Sequence, residues 1–150
     1  MLKIFAAATL LNFALASVSA TTDSPLPLRV LLKSAFSRIQ KPMEKVIRSE
    51  DEWKKFWADA SVNEPAKPLP KVDFSKEMVI VAALGRRNSG GFSIEITRVQ
   101  KTDDKLKVFL KKRTPPKNSM AIQALTAPIH VVAAPSTSLA VEFIDAGTNP

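Results

Sequence analysis

Residues 76–85, KEMVIVAALG, form a nearly unbroken apolar run that ends on a glycine. A strand with one face in water alternates polar and apolar positions, whereas an unbroken run is what a strand buried on both faces requires. The run is too short to span a membrane as a helix, which needs about 20 apolar residues. The chain must therefore enclose this strand in an apolar core. It must do so without covalent help, because the 150 residues include no cysteine and hence no disulfide framework.

The N-terminus reads as a processing signal. MLKIFAAATLLNFALASVSA carries one cation, Lys3, then an apolar stretch from Ile4 to Ala16, and closes on Val18-Ser19-Ala20 with small residues spaced for cleavage after Ala20. Residues 1–20 are therefore expected to be a signal peptide and the protein to be exported, to a periplasmic or extracellular location. The chain carries 22 Lys+Arg against 14 Asp+Glu, a formal charge of +8, which becomes +7 once Lys3 leaves. That balance favours anionic surfaces in general, while the export signal argues against a nucleic acid. Thr21–Pro27 reads as a disordered leader, residues 28–146 as a single domain, and 147–150 as a tail.

EKVIRSEDEWKKFWADA predicts the one helix. Ser49 with Glu52 three residues on makes a capping box, and Glu50, Asp51 and Glu52 complement the positive end of the helix dipole. Trp53, Phe56, Trp57 and Ala60 recur at i, i+3, i+4 and i+7, so they form one apolar face. A sugar or base platform could use such a stripe, but an amphipathic helix packing on a sheet needs the same pattern, and both tryptophans are read as core. The proline-bearing stretch NEPAKPLPKVDF follows as an extended connector.

The next pair of strands can be read to the residue. Phe92, Ile94 and Ile96 point one way in GFSIEITRVQ, and the phase changes before Val99, which predicts a β-bulge around Thr97-Arg98. In KLKVFLKKR, Leu106, Val108 and Leu110 face inward. A two-residue turn at Asp103-Asp104 then places Ile96 opposite Leu110 and Glu95 opposite Lys111. Later strands are expected around Ile129–Ala133, with Pro128 just before it where a missing donor is tolerated, and in LAVEFID.

Reactive chemistry is sparse. With His130 the single histidine and no cysteine, no metal or cofactor is expected. A small serine hydrolase would have to pair His130 with Ser89 or Ser93, yet neither serine sits in a nucleophile elbow. Asp103-Asp104 reads as turn chemistry and Asp51-Glu52 as helix capping. The cluster KKRTPPK could meet an anionic envelope polymer, and without interleaved aromatics it reads first as a solvated loop. The stretch Arg86, Arg87, Asn88, Ser89, Gly90, Gly91, Phe92 is the candidate contact element. Its glycines permit a tight corner or a close backbone approach, and loops on a rigid β scaffold are where recognition concentrates.

KVIRSEDEWKKFWADA, VDFSKEMVIVAALGRRNSGGFSIEI and ALTAPIHVVAAP, in that order, resemble the PrcB C-terminal domain family, with the resemblance running from Leu28 to Phe143. It implies a small exported protein without catalytic residues, named for an accessory subunit of a bacterial surface protease complex. Three departures stand out: Ser89-Gly90-Gly91-Phe92 where the family has Thr-Gly-Gly-Tyr, Asn88 where proline is common, and no lipid-attachment cysteine, which implies a soluble rather than tethered copy. The expected fold is α+β, a curved and mostly antiparallel sheet of about six strands with the Ser49–Ala60 helix on one face. The expected function is a non-catalytic binding module, a partner of an envelope or secreted protease, with a loop-based protease inhibitor as the alternative within the binding class.

Overall fold

The structure, a computed structural model, describes residues 23–61 and 67–149, with side chains through Gly147. The signal peptide expected over residues 1–20 lies outside the described residues. The described chain forms β1 (Ser24–Pro25), β2 (Arg29–Ser34), β3 (Met43–Ile47), α1 (Glu50–Ala60), β4 (Glu77–Ala83), β5 (Ser93–Lys101), β6 (Lys105–Arg113), β7 (Ile129–Pro135) and β8 (Ala140–Asn149). The class is α+β as expected, but the single six-stranded sheet is not found. The strands make two four-stranded sheets, ordered β2-β7-β4-β3 and β1-β5-β6-β8, and every pairing is antiparallel except β6 with β8.

The apolar run at β4 explains why one sheet cannot suffice. Val79, Val81 and Ala83 point to one face and Met78, Ile80 and Ala82 to the other, all essentially inaccessible. A lone sheet with one helix would leave the second set in water. Here α1 covers the first set with Trp53, Phe56, Trp57 and Ala60. The second sheet covers the other with Ile94, Ile96, Val99, Leu106, Val108 and Leu110. The molecule is thus three layers, helix on sheet on sheet, with β4 and its neighbour β7 enclosed between apolar partners on both sides.

The helix starts where its sequence dictates. Ser49 has extended backbone geometry and its side chain accepts from the Glu52 amide, a cap that contributes about 1 kcal/mol. The Glu52 carboxylate does not close the other half of the capping box. It lies 2.6 Å from Lys45 Nζ on β3 instead. The Trp53 and Trp57 indole N–H groups donate to the carbonyls of Pro70 and Lys67, each at 3.0 Å. The connector is therefore fastened to the helix through the polar edges of two core side chains, satisfying both indoles as burial demands.

Two terminal expectations are corrected. Ser24 and Pro25, read as part of a disordered leader, pair with Lys101 and Gln100, and the Leu26 amide donates to the Val99 carbonyl at 2.8 Å. Leu26 and Leu28 then pack on the inter-sheet core, apolar anchors that order this stretch. At the other terminus Thr148 and Asn149, read as tail, continue β8 opposite Lys112 and Arg113. A register shift between Leu110 and Lys112 and the positive φ of Gly147 let the strand persist there.

Candidate functional site

Three connections gather at one end of the sandwich: residues 35–42 between β2 and β3, 84–92 between β4 and β5, and 114–128 between β6 and β7. Their backbones are joined to one another. Gly85, at φ +72°, lies so close to the 40–42 segment that a Cβ there would come within 2.7 Å of the Lys41 carbonyl carbon and the Pro42 nitrogen. The Arg86 amide donates to the Gln40 carbonyl at 3.0 Å. Arg87 and Thr126 form an antiparallel bridge, exchanging bonds of 2.7 and 3.0 Å, and the Thr126 hydroxyl donates to the Ser89 carbonyl at 2.8 Å. The Ala127 amide donates to the Ala35 carbonyl at 2.9 Å.

The glycine pair is used within the chain. The Gly90 amide donates to the Ile122 carbonyl at 2.9 Å. Gly91 has φ +87°, and a Cβ on it would fall 2.8 Å from Pro115 Cβ. The close approach that these glycines permit is filled by this protein's own 115–122 segment. Gly91 is disfavoured for a side chain both by its positive φ and by this crowding, whereas a Cβ on Gly90 would meet Ile122 Cβ at 3.6 Å, an ordinary contact.

The seven candidate contact residues separate accordingly. Arg86 and Asn88 are exposed, Arg87, Ser89, Gly90 and Phe92 are half-buried, and Gly91 is exposed. The Arg87 guanidinium carbon sits 5.4 Å from the Phe92 ring centroid, a cation–π distance, and its Nε is buried without a hydrogen-bond partner. Phe92 packs against the inter-sheet core and so anchors the loop to β5. Arg86 and Asn88 are left as the side chains that face outward.

Among the described residues His130 makes no hydrogen bond with a serine. It is buried on β7 and its Nδ1 accepts the Ile96 N–H at 2.8 Å. That amide belongs to the bulged stretch of β5, beyond the short reach of β1, so the imidazole satisfies a donor that no neighbouring strand takes up. An accepting Nδ1 puts the neutral ring's proton on Nε2, which has no partner among the described residues. Burial pushes the imidazole pKa below its ordinary value, the Lys33 charge adds to that, and Glu95 opposes it. Lys33 lies 2.8 Å from Glu95 and its hydrogen bond holds that carboxyl below the usual range. Ser89 Oγ donates to the Gly90 carbonyl at 3.3 Å. Among the described residues no group of three or more His, Cys, Asp or Glu is placed to hold a metal ion, and no helix is long and apolar enough to cross a membrane.

Sequence reasoning missed the apolar side chains at this same end. Met120 is fully exposed, Ile122 is 77% exposed, Leu125 56% and Phe36 53%. They have no strand or helix period, so no pattern search finds them. The available signal was negative: bulky apolar residues between Pro116 and Pro128 with no amphipathic element to place them in.

Residues 78–135 match the family model described as PrcB C-terminal. The matched segment runs from β4 through β7 and contains two of the three joined loops, while α1 and the first strands lie outside it. No curated protein and no solved structure matches the chain.

Proposed function

Taking as premise that the chain carries a PrcB C-terminal domain over residues 78–135, we propose that it is a non-catalytic, exported binding module that holds a protein partner by surface complementarity. An envelope or secreted protease is the class of partner that the family's naming suggests. The observation that carries this reading is the joining of loops 84–92 and 114–128 by backbone bonds at Arg87, Gly90 and Thr126. A loop already held in one shape loses little conformational freedom on binding, which is where much of the cost of association lies. Arg87, Gly91 and Phe92 hold that shape, and Arg86 and Asn88 meet the partner. A second reading, attachment to an anionic envelope polymer, is favoured by exposed Lys111, Arg113 and Lys117 in KKRTPPK and predicts steep weakening with salt.

The test is affinity capture of the mature chain's partners from the envelope fraction of its own cells, beside an Arg86→Ala/Asn88→Ala variant. Both substitutions are at exposed positions and should leave the melting temperature unchanged. The reading expects a discrete protein partner recovered by the wild type and depleted with the variant. Equal recovery of every partner by both removes the loop from the proposal.

A further inference from the structure

The three joined loops share a property that their separate sequences conceal. Residues 35–42, 84–92 and 114–128, with Arg113 at the end of β6, contain no Asp or Glu, although the chain has 14, and they carry Arg38, Lys41, Arg86, Arg113 and Lys117 besides the inward Arg87. None of those five has a carboxylate within salt-bridge distance among the described residues. The same loops hold Phe36, Met120, Ile122 and Leu125, four of the six bulky apolar side chains exposed on the described molecule.

We propose that this end of the sandwich seats on an anionic lipid surface, with Met120, Ile122, Leu125 and Phe36 entering the headgroup–acyl boundary and the surrounding cations meeting lipid phosphates. Met120 and Ile122 are the most exposed apolar side chains of the 114–128 loop, and their exposure in water is unfavourable in proportion to their apolar area. Lipid removes that penalty. Cations in the same loops as apolar tips gain at a negatively charged interface, whereas a carboxylate there would be repelled, and these loops contain none. An acidic protein could neutralise the cations, but it would need a separate apolar pocket for each projecting tip. A fluid interface accommodates all four without matching their shape.

The rigidity of the platform matters here too. The Gly90–Ile122 and Arg87–Thr126 bonds fix the base of the projecting loop, so the tips are presented without an ordering step. The proposal goes beyond the partner reading above and does not need it. Vesicles contain no protein, so partner capture can fail while lipid binding stands, and the reverse.

The experiment is co-sedimentation of the chain from Thr21 with vesicles of phosphatidylcholine alone and of phosphatidylcholine mixed with phosphatidylglycerol. Binding is expected to the mixed vesicles and to be weak or absent with phosphatidylcholine alone. Met120→Ser/Ile122→Ser should weaken it by roughly tenfold or more, and Lys117→Ala by about fivefold. Val30→Ser/Leu69→Ser, exposed apolar positions elsewhere on the surface, should leave it unchanged. Thermal melts of each variant check that the fold is retained. No sedimentation with the phosphatidylglycerol vesicles overturns the proposal. So does binding that ignores the Met120/Ile122 pair, which is charge adsorption without insertion. Loss of protein-partner capture through that pair, with no vesicle binding, would assign the tips to a protein instead.

Discussion

The two ends of the sandwich solve the same problem, closing strands into turns, in opposite ways. At the end holding the β5–β6 turn, closure is local. Thr102 Oγ1 donates to the Lys105 carbonyl and accepts the Lys105 amide, and Asp73 accepts from the amide and hydroxyl of Ser75. Charges there are mixed and paired: Lys54 with Glu50, Lys105 with Glu142, Arg29 with Glu77. At the other end closure is long-range, loop upon loop, and the loops carry charge of one sign, with the nearby carboxylates Glu44, Glu95 and Asp145 paired to Lys112 and Lys33 on the strands. The first end is satisfied by its own sequence neighbours and offers a solvent-compatible surface. The second has spent its backbone groups on internal bonds while leaving its cations and apolar tips available. On the proposed reading, that difference puts the working surface at the second end.

The largest effect expected from breaking this contrast is at Gly85. A Gly85→Val substitution forces a β-branched residue to positive φ and drives Cβ into the 40–42 backbone. The expected loss is about 3–5 kcal/mol in urea unfolding, comparable with emptying the Trp53 site. A substitution of similar kind at Gly147, where φ is +112° but nothing lies near the added Cβ, should cost about 1–2 kcal/mol. If Gly147 proves as costly as Gly85, crowding between the joined loops is not what holds that end.

Next is His130, which fastens one sheet to the other at the corner where Lys33 meets Glu95. His130→Leu leaves the Ile96 N–H without an acceptor and should cost about 1–3 kcal/mol near neutral pH. The native imidazole also makes stability depend on pH. Its folded pKa is below its unfolded value, so the unfolded chain takes up the proton more readily. The contribution is complete above about pH 6.5 and is lost as pH falls from there through the folded pKa. Melts across that window should show a slope for the wild type that flattens in His130→Leu. An unchanged slope would mean that another group titrates there.

Smaller effects separate the ends by reach. Thr126→Val removes the hydroxyl bond to Ser89 and should cost about 1 kcal/mol. Its amide-exchange changes should extend across the 86–92 loop, whereas Thr102→Val, of similar cost, should disturb only its own turn. Smallest of all is Met120→Ser/Ile122→Ser, expected within about 0.5 kcal/mol of the wild type. Those tips contribute nothing to folding if their place is outside the protein.

What could be read in advance was what local pattern determines. The β5–β6 hairpin has the expected register, Ile96 opposite Leu110 and Glu95 opposite Lys111, with the bulge between Ile96 and Arg98. A phase change in alternation and a short turn leave only one solution. Ser49 caps the helix and Trp53, Phe56 and Trp57 are buried for the same reason. The division into two sheets was implicit in β4, whose second apolar face demanded a cover that a single sheet cannot give. The parallel placement of β8 beside β6 was not legible, because alternation in one strand says nothing about its neighbour. Nor was the joining of the loops: Arg87–Thr126 and Gly90–Ile122 are bonds between residues more than thirty positions apart, made by backbone groups that every sequence possesses. Gly90 and Gly91 announced close approach and could not announce by what.

The central claim is that the acid-free end is where this protein meets its surroundings. Hydrogen–deuterium exchange of the chain from Thr21, with and without vesicles containing phosphatidylglycerol, tests it most directly. Added protection confined to residues 35–42, 84–92 and 113–127 is the result expected. Protection centred on residues 101–105 and 136–139, or spread evenly over both ends, would contradict it.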